Sequence, residues 1–316
     1  MLNYSSEMTA TVIARATVHG VRLVGDAISL AVGVLWVLFT ALLRTLLPPP
    51  LPKSIAGEVA LVVGAGHGLG RDVALLLATR GANVVCWDFD AAANGDTVRL
   101  IRGVRGKATG YAVDASNRDE VQVAAARMRR DVGVVTLLVG GAGALAPRLP
   151  LLQQSPELIE RTVAASLYSL CWTLEAFLPA MIDKGRGHVV TLISGNSLRP
   201  EPNMVPFCAA QYAVRGFIEA LEAEIQQDMR MTGIKFTTIY TWNINTKRNL
   251  ETPRFSYLPV LNAQQIAESV VDAILKNCNE RSIPALLLPI SHLQRLLPHS
   301  VLHMTNKFLH RAVELD

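Results

Sequence analysis

Closely spaced cysteines are missing from this chain. The four present, Cys86, Cys171, Cys208 and Cys278, are scattered with no CxxC pair. That argues against a disulfide framework or a thiolate zinc site and fits a reducing compartment. No group of His, Cys, Asp and Glu has metal-ligand spacing. A charge surplus is missing as well: 30 basic against 26 acidic residues leave a formal +4, and no basic stripe is interleaved with aromatics. Nothing therefore points to nucleic acid. No internal repeat is visible.

What the chain has in quantity is apolar side chains. The hydrophobic fraction is 50% and the mean hydropathy +0.30, high for a soluble domain and a pointer to membrane contact. Much of it comes from one run, Ala27 to Leu43, which carries no charge between Asp26 and Arg44. At about 1.5 Å per residue, a helix of this length just spans a bilayer core. We read it as a membrane anchor, the alternative being a helix buried on the domain or facing a partner. It lies too far into the chain for a secretory signal, and no small-residue cleavage site is evident. Arg15 and Arg22 precede it and Arg44 and Lys53 follow, so positive charge gives no orientation. Pro48-Pro49-Pro50-Leu51-Pro52 then forms a stiff, extended spacer. The organisation expected is an N-terminal segment (1–47) with the anchor at about 27–43 and a proline-rich linker (48–53). One domain (54–290) and an amphipathic tail (291–316) follow.

The domain opens on an apolar run, Val59 to Val63, which breaks into alternate glycines: Gly64, Gly66, Gly68 and Gly70, with His67 and Leu69 among them. A helical stretch, Arg71–Arg80, follows. Strand, tight glycine turn and helix N-terminus together suit a pyrophosphate, because glycine lets the backbone approach the anion and the helix dipole favours its charge. Asn83 to Trp87 reads as a second strand ending in Asp88, where an acid meets an adenosine ribose. An acid there accepts both ribose hydroxyls and repels a 2′-phosphate, favouring NAD(H) over NADP(H). An ordinary strand-end acid is the bland alternative. His67 has two readings, a phosphate neighbour or a solvent-facing turn residue.

Apolar runs at 108–113, 134–139, 188–193 and 234–240 read as buried parallel strands, and Ala285 to Ile290 as a last one. Ser116 ahead of Arg118–Arg130 punctuates one helix. Ser155-Pro156-Glu157 opens another that runs to Lys184-Gly185. This alternation predicts an α/β fold: a single domain with a doubly wound parallel sheet of the Rossmann type and right-handed crossovers. The tail from His292 to His310 mixes Leu, Val, Met and Phe with His, Lys and Arg at helical spacing. It either lies on a membrane surface or packs on its own domain.

From about Ser54 to Phe308 the pattern resembles the short-chain dehydrogenase/reductase family. Val63 to Gly70 is similar to that family's TGxxxG[IL]G loop, with Val63 in place of the threonine. Val113-Asp114 resembles its adenine-contacting acid, although Asp114 equally suits a cap on the turn before Ser116. Gly140-Gly141-Ala142-Gly143 stands for its NNAG turn, which implies Gly141 beside the cofactor. Trp172-Thr173, Ala176 to Met181 and Gly187 to Thr191 look most like the membrane-anchored retinol and hydroxysteroid dehydrogenases of endoplasmic reticulum and lipid droplets. The resemblance implies NAD as cofactor, a lipophilic small molecule as ligand, a membrane location and a dimer with itself or a related dehydrogenase.

The catalytic half departs from the pattern. The family uses a tyrosine as general acid/base and a lysine four residues on, which holds the nicotinamide ribose and lowers the tyrosine pKa. A serine on the preceding strand polarises the substrate, and an asparagine in the long helix supports a proton relay. Here Ser194 keeps the serine position, but Phe207 replaces the tyrosine, Gln211 the lysine and Ser166 the asparagine. Thr241 replaces the proline after the sixth strand, while Asn245-Thr246 still matches. No tyrosine has a basic residue four positions later. Tyr212, about 140° around a helix from Phe207, faces elsewhere, and Arg215 reads as a surface charge. A phenyl ring transfers no proton and a carboxamide supplies no cation, so about 10²–10⁴-fold of acid/base catalysis is missing. The expectation is an NAD(H)-binding, catalytically impaired protein. The alternatives are an active oxidoreductase on a retinoid, steroid or fatty alcohol, with Ser194 or water moving the proton, and a scaffold that binds no nucleotide. Ser194 itself either meets a ligand oxygen or only ends its strand. The segment around Arg248–Leu261 carries no specificity signal.

Overall fold

The computed structural model describes residues 25–26, 28–36, 39–40, 43, 51–141, 147–228, 232–242, 244–245, 261–298, 300–302 and 304. The chain divides into two units, Met1–Leu51 and Pro52–Asp316. In the first, the described residues from 25 to 43 are helical, and Ile28, Leu30, Leu35, Trp36 and Phe39 are exposed.

The second unit is the α/β fold expected. Its elements run β1 (Val59–Val63), α1 (Gly68–Thr79), β2 (Asn83–Asp88), α2 (Ala91–Gly103), β3 (Lys107–Ala112), α3 (Arg118–Asp131) and β4 (Leu137–Gly140). After α4 (Pro156–Val163), a π-helical turn (Ala164–Tyr168) leads into α5 (Ser169–Asp183) and then β5 (Gly187–Ser194). The remainder is α6 (Val205–Gln227), β6 (Ile234–Thr241), the short pair β7 (Ile244–Asn245) and β8 (Leu261–Asn262), α7 (Ala263–Leu275), β9 (Glu280–Ile283) and α8 (Leu287–Arg295). Seven strands form one parallel sheet in the order β3-β2-β1-β4-β5-β6-β9. The order reverses between β1 and β4, and loops at the carboxyl ends of those strands border the crevice where doubly wound sheets take ligands.

Strand periodicity divides the core. Ala60 and Val62 of β1 face α1 and α7, packing with Val73, Leu77, Ile266 and Val270. Leu61 faces the other way, into a cluster with Met128 of α3, Phe177 of α5 and Val214 of α6. Both faces are buried, which is why these strands read as continuous apolar runs. The 28-residue helix Pro156–Asp183 is apolar enough to cross a membrane, with a mean hydropathy of 1.3. Its Leu170, Leu174, Phe177 and Met181 are nevertheless in the core, so this apolarity serves packing.

Three local expectations are corrected. Residues 285–290 are not a strand: β9 ends at Ile283, paired with Thr241, and α8 begins at Leu287. Pro289 sits in the first turn of α8, where a missing N–H costs no helical bond. Helix α3 is capped by Asn117, whose side chain accepts from Asp119 and Glu120, not by Ser116. Helix α1 starts at Gly68 rather than Arg71, so the glycines themselves form its first turn. Ser155 caps α4 as expected, accepting from the Leu158 N–H.

At the opposite end of the sheet a polar chain ties the domain's first residues to it. Lys53 Nζ donates to His188 Nδ1 at 2.7 Å, and His188 Nε2–H donates to Thr237 Oγ1 at 2.8 Å. Thr237 in turn donates to the Cys278 carbonyl at 2.6 Å. Burial, with the Lys53 and Lys235 charges, pushes the His188 pKa from 6.5 down to about 3. The unfolded chain therefore binds this proton first as pH falls from 6.5 towards 3, and stability present at neutral pH is lost across that window. The expected slope from His188 is about 1.4 kcal/mol per pH unit at most. Urea-unfolding free energies at pH 7 and pH 4.5 should drop more steeply for the wild type than for His188→Gln. Parallel slopes would refute this.

Candidate functional site

The glycine loop is shaped by contacts that admit no side chain. Gly64 and Gly68 have φ of +78° and +49°. A Cβ on Gly70 would stand 2.1 Å from the Gly64 carbonyl oxygen, and one on Gly66 would stand 2.7 Å from Asp88 Oδ2. Gly64 and Ala65 N–H groups donate to the Trp87 carbonyl at 2.8 and 3.0 Å, joining the loop to the end of β2. Asp88 is buried, 7% exposed, and accepts from the Gly66 N–H at 2.8 Å and the Asp90 N–H at 3.0 Å.

A second set of side chains, which the motif gave no reason to single out, braces the loop from α2. Thr97 Oγ1 donates to the Ala65 carbonyl at 2.9 Å, and Arg71 donates to Thr97 Oγ1 and to the Gly66 carbonyl. Asn94 Nδ2 bridges the Cys86 and Tyr111 carbonyls at 3.0 Å each. His67 lies at the N-cap of α1 but gives no side-chain cap. Its ring is exposed, with Nε2 3.7 Å from Asp90 Oδ2. Leu69 turns its side chain into the core with Ala65 and Val73, so only its backbone belongs to the turn. Asp114 accepts from Ser116 N–H and Oγ–H at 2.9 and 2.7 Å, the turn-capping alternative. Gly141, at φ +95°, has no room for a Cβ against Thr191 and Leu192. Val63, Leu138 and Thr173 border it and leave no space for a water molecule between them. Ala142, Gly143, Thr246 and residues 248–260 lie outside the described residues.

At the end of β5 the Ser194 backbone meets Gln211 of α6. Ser194 donates its backbone N–H to Gln211 Oε1 at 2.8 Å, and its Oγ accepts from the Asn196 N–H at 3.2 Å. A backbone N–H can only donate, so Gln211 must present its oxygen there. Its Nε2 is left buried without a partner among the described residues, in a side chain 0% exposed. Phe207, one turn earlier on α6, packs with Met204 and Cys208. Ser166 sits in the π-helical turn, also 0% exposed, with Oγ unpartnered. Such turns often mark functional sites. Burial pushes the Cys208 thiol up, so it stays protonated at neutral pH. Tyr212 faces outward with the Arg295 guanidinium 5.8 Å above its ring. Arg215 is not a free surface charge: its side chain is 14% exposed, pairs with Glu219 and lies 5.7 Å from the Tyr240 ring centre. Sequence spacing also gave no notice of Arg199, a buried cation just beyond Ser194.

The short chain dehydrogenase family profile matches residues 58–254. The chain belongs to that family. It is 32% identical to 17-beta-hydroxysteroid dehydrogenase 13 of Homo sapiens over 259 residues, 82% of this chain and 85% of the relative. It is 30% identical to retinol dehydrogenase 10 of Xenopus tropicalis over 309 residues, 87% of this chain and 89% of that one. This short-chain dehydrogenase also superposes on solved structures. A metagenomic short-chain oxidoreductase in complex with NADP aligns with a TM-score of 0.60 at 25% identity, over 71% of this chain and 93% of that one. A short chain dehydrogenase/reductase from Burkholderia phymatum in complex with NAD aligns at 0.67 and 21%, over 77% and 94%, and shares the fold.

The residues present fit the family's nicotinamide dinucleotide at the glycine loop. Two of its glycines abut neighbours that a Cβ would strike, the first turn of α1 has no side-chain cap, and the buried Asp88 carboxylate retains lone pairs. Gly70→Ala should therefore destabilise the fold by about 2 kcal/mol or more, since the clash is with backbone. Gly216→Ala, on α6 with nothing within 4 Å, should instead stabilise by about 0.5–1 kcal/mol. Thermal unfolding of the two variants reads both signs.

Proposed function

We propose that this short-chain dehydrogenase is a membrane-associated protein that binds NAD(H) and has lost ordinary dehydrogenase turnover. The observation that carries this reading is that a buried, neutral Gln211 accepts from the Ser194 N–H, with Phe207 and Ser166 equally buried and uncharged. Bound NAD(H) supplies a hydride acceptor or donor. Moving a hydride at an alcohol or carbonyl also requires a proton at the ligand oxygen, and Phe207 has none to give or take. Gln211 brings no positive charge to lower the pKa of any neighbour, and its Oε1 is engaged by the Ser194 N–H. The Ser194 hydroxyl can still hold a ligand oxygen in place. Asp88 supports NAD(H) over NADP(H), because a buried carboxylate at that strand end repels a 2′-phosphate.

Three features support membrane association, at the endoplasmic reticulum or a lipid droplet with the folded domain in the cytosol. The described residues from 25 to 43 expose Ile28, Leu30, Leu35 and Trp36 on a helix. Helix α8 packs through Leu287, Ser291 and Gln294 yet leaves Leu286, Ile290, Leu293 and Leu296 facing out. From Arg281 to Val313 the sequence has no Asp or Glu, while Arg295, Lys307 and Arg311 carry positive charge. An apolar face among basic residues suits an anionic lipid surface. Relatives named for hydroxysteroids and retinol support a lipophilic ligand. The protein then acts as a nucleotide- or lipid-responsive binding partner, alone as a dimer or beside an active relative.

Calorimetric titration of the purified chain should show NAD+ binding, with no turnover of retinol, a hydroxysteroid or a fatty alcohol. Phe207→Tyr with Gln211→Lys should raise turnover by about 10²-fold or more. The double variant should also unfold more easily, because the lysine removes the acceptor of the Ser194 N–H and buries an ammonium. Wild-type turnover comparable to the double variant's would defeat the claim of lost catalysis. No dinucleotide binding would defeat the nucleotide claim.

A further inference from the structure

Arg199 is a buried cation with two side-chain nitrogens, Nε and Nη2, that have no acceptor among the described residues. The residue is 5% exposed, and its Nε and Nη2 are buried without a hydrogen-bond partner. Native structures rarely leave such groups bare, and an unpaired buried charge is costly enough to need an explanation. The acid whose field reaches it, Glu201, forms its ion pair with Arg148. Burial lowers the Arg199 pKa, yet a guanidinium stays charged in proteins.

The surroundings hold this side chain in one place. Its guanidinium carbon lies 5.6 Å from the centre of the Trp242 ring, so one flat face is covered. Trp242 can lie there because residue 195 is glycine: a Cβ on Gly195 would stand 2.4 Å from Trp242 Cε3. The Arg199 N–H is anchored to the Gly195 carbonyl at 3.0 Å. Arg199 follows Ser194 by one short turn, and Trp242 follows Thr241, the register partner of Ser194 on β6. The platform therefore stands at the same sheet end as Ser194, next to Leu198 and Leu287, which share the apolar cluster of Trp242.

Nε–H and Nη2–H lie along one edge of the guanidinium, a side-on fork whose spacing matches the two oxygens of a carboxylate. We propose that Arg199 receives the carboxylate of a lipophilic acid through this edge, with the apolar body of the ligand towards Ser194. The assignment rests on the reading of the Ser194 end as the ligand end, and it narrows the ligand from any lipophilic molecule to an anionic one.

Titrating the full-length chain in non-ionic detergent with decanoate, decan-1-ol and decyl phosphate tests it. Decanoate should bind at least tenfold more tightly than the alcohol and more tightly than the phosphate. Arg199→Met should abolish the preference for the acid, and Arg199→Lys, which keeps charge but not the fork, should retain only part of it. NAD+ affinity should be the same in all three proteins. Equal binding of acid and alcohol by the wild type, or an acid preference that survives Arg199→Met, overturns the proposal, and tighter binding of the phosphate overturns the carboxylate assignment. The wild-type comparison decides the matter even where Arg199→Met fails to fold. A lack of NAD+ binding strikes the nucleotide reading while leaving the acid preference readable.

Discussion

The contact of Gly70 with the Gly64 carbonyl governs the N-terminal half of the domain. No atom larger than hydrogen fits between them. That approach sets the angle at which α1 leaves β1 and brings the loop amides against the ends of β1 and β2. Once the angle is set, Asp88 can reach Gly66, and Arg71 can brace the loop against Thr97 on α2. The cradle is thus a property of backbone packing, reinforced by side chains that touch the backbone rather than any ligand.

The C-terminal half is organised on the opposite plan. The Ser194 N–H is held by the buried, uncharged Gln211, and Arg199, just beyond on the chain, lies on an aromatic face. Proton transfer requires a group whose charge can change at working pH, and Phe207, Gln211 and Ser166 include none. On the proposed reading, this sheet end holds a molecule rather than transforming it. Binding and chemistry, which the family keeps together, are separable because they sit on different strands.

Much of this was legible in the sequence, for identifiable reasons. The central strands β1 and β4 announced themselves because both faces are buried and nearly every position is apolar. Phe207 and Gln211 were located because one helical turn separates them from each other and Ser194 fixes the strand end. The misread stretch, 285–290, shows the limit: a short apolar run is compatible with either strand or helix, and only the pairing of Ile283 with Thr241 decides. Ser116 was mistaken for a cap because serine and asparagine are both good caps and adjacent in the chain. Arg199 left no trace at all, since its meaning depends on Trp242, which reaches it only through the packing of β5 against β6.

The bond from the Ser194 N–H to Gln211 Oε1 constrains what position 211 can hold. A lysine at 211 has no acceptor to offer that N–H, so the glutamine performs a structural duty that lysine cannot. Gln211→Lys alone leaves a bare amide in the interior, whereas Phe207→Tyr alone leaves that bond in place. The cation that would serve the chemistry is thus the residue that the strand end cannot hold without losing a hydrogen bond.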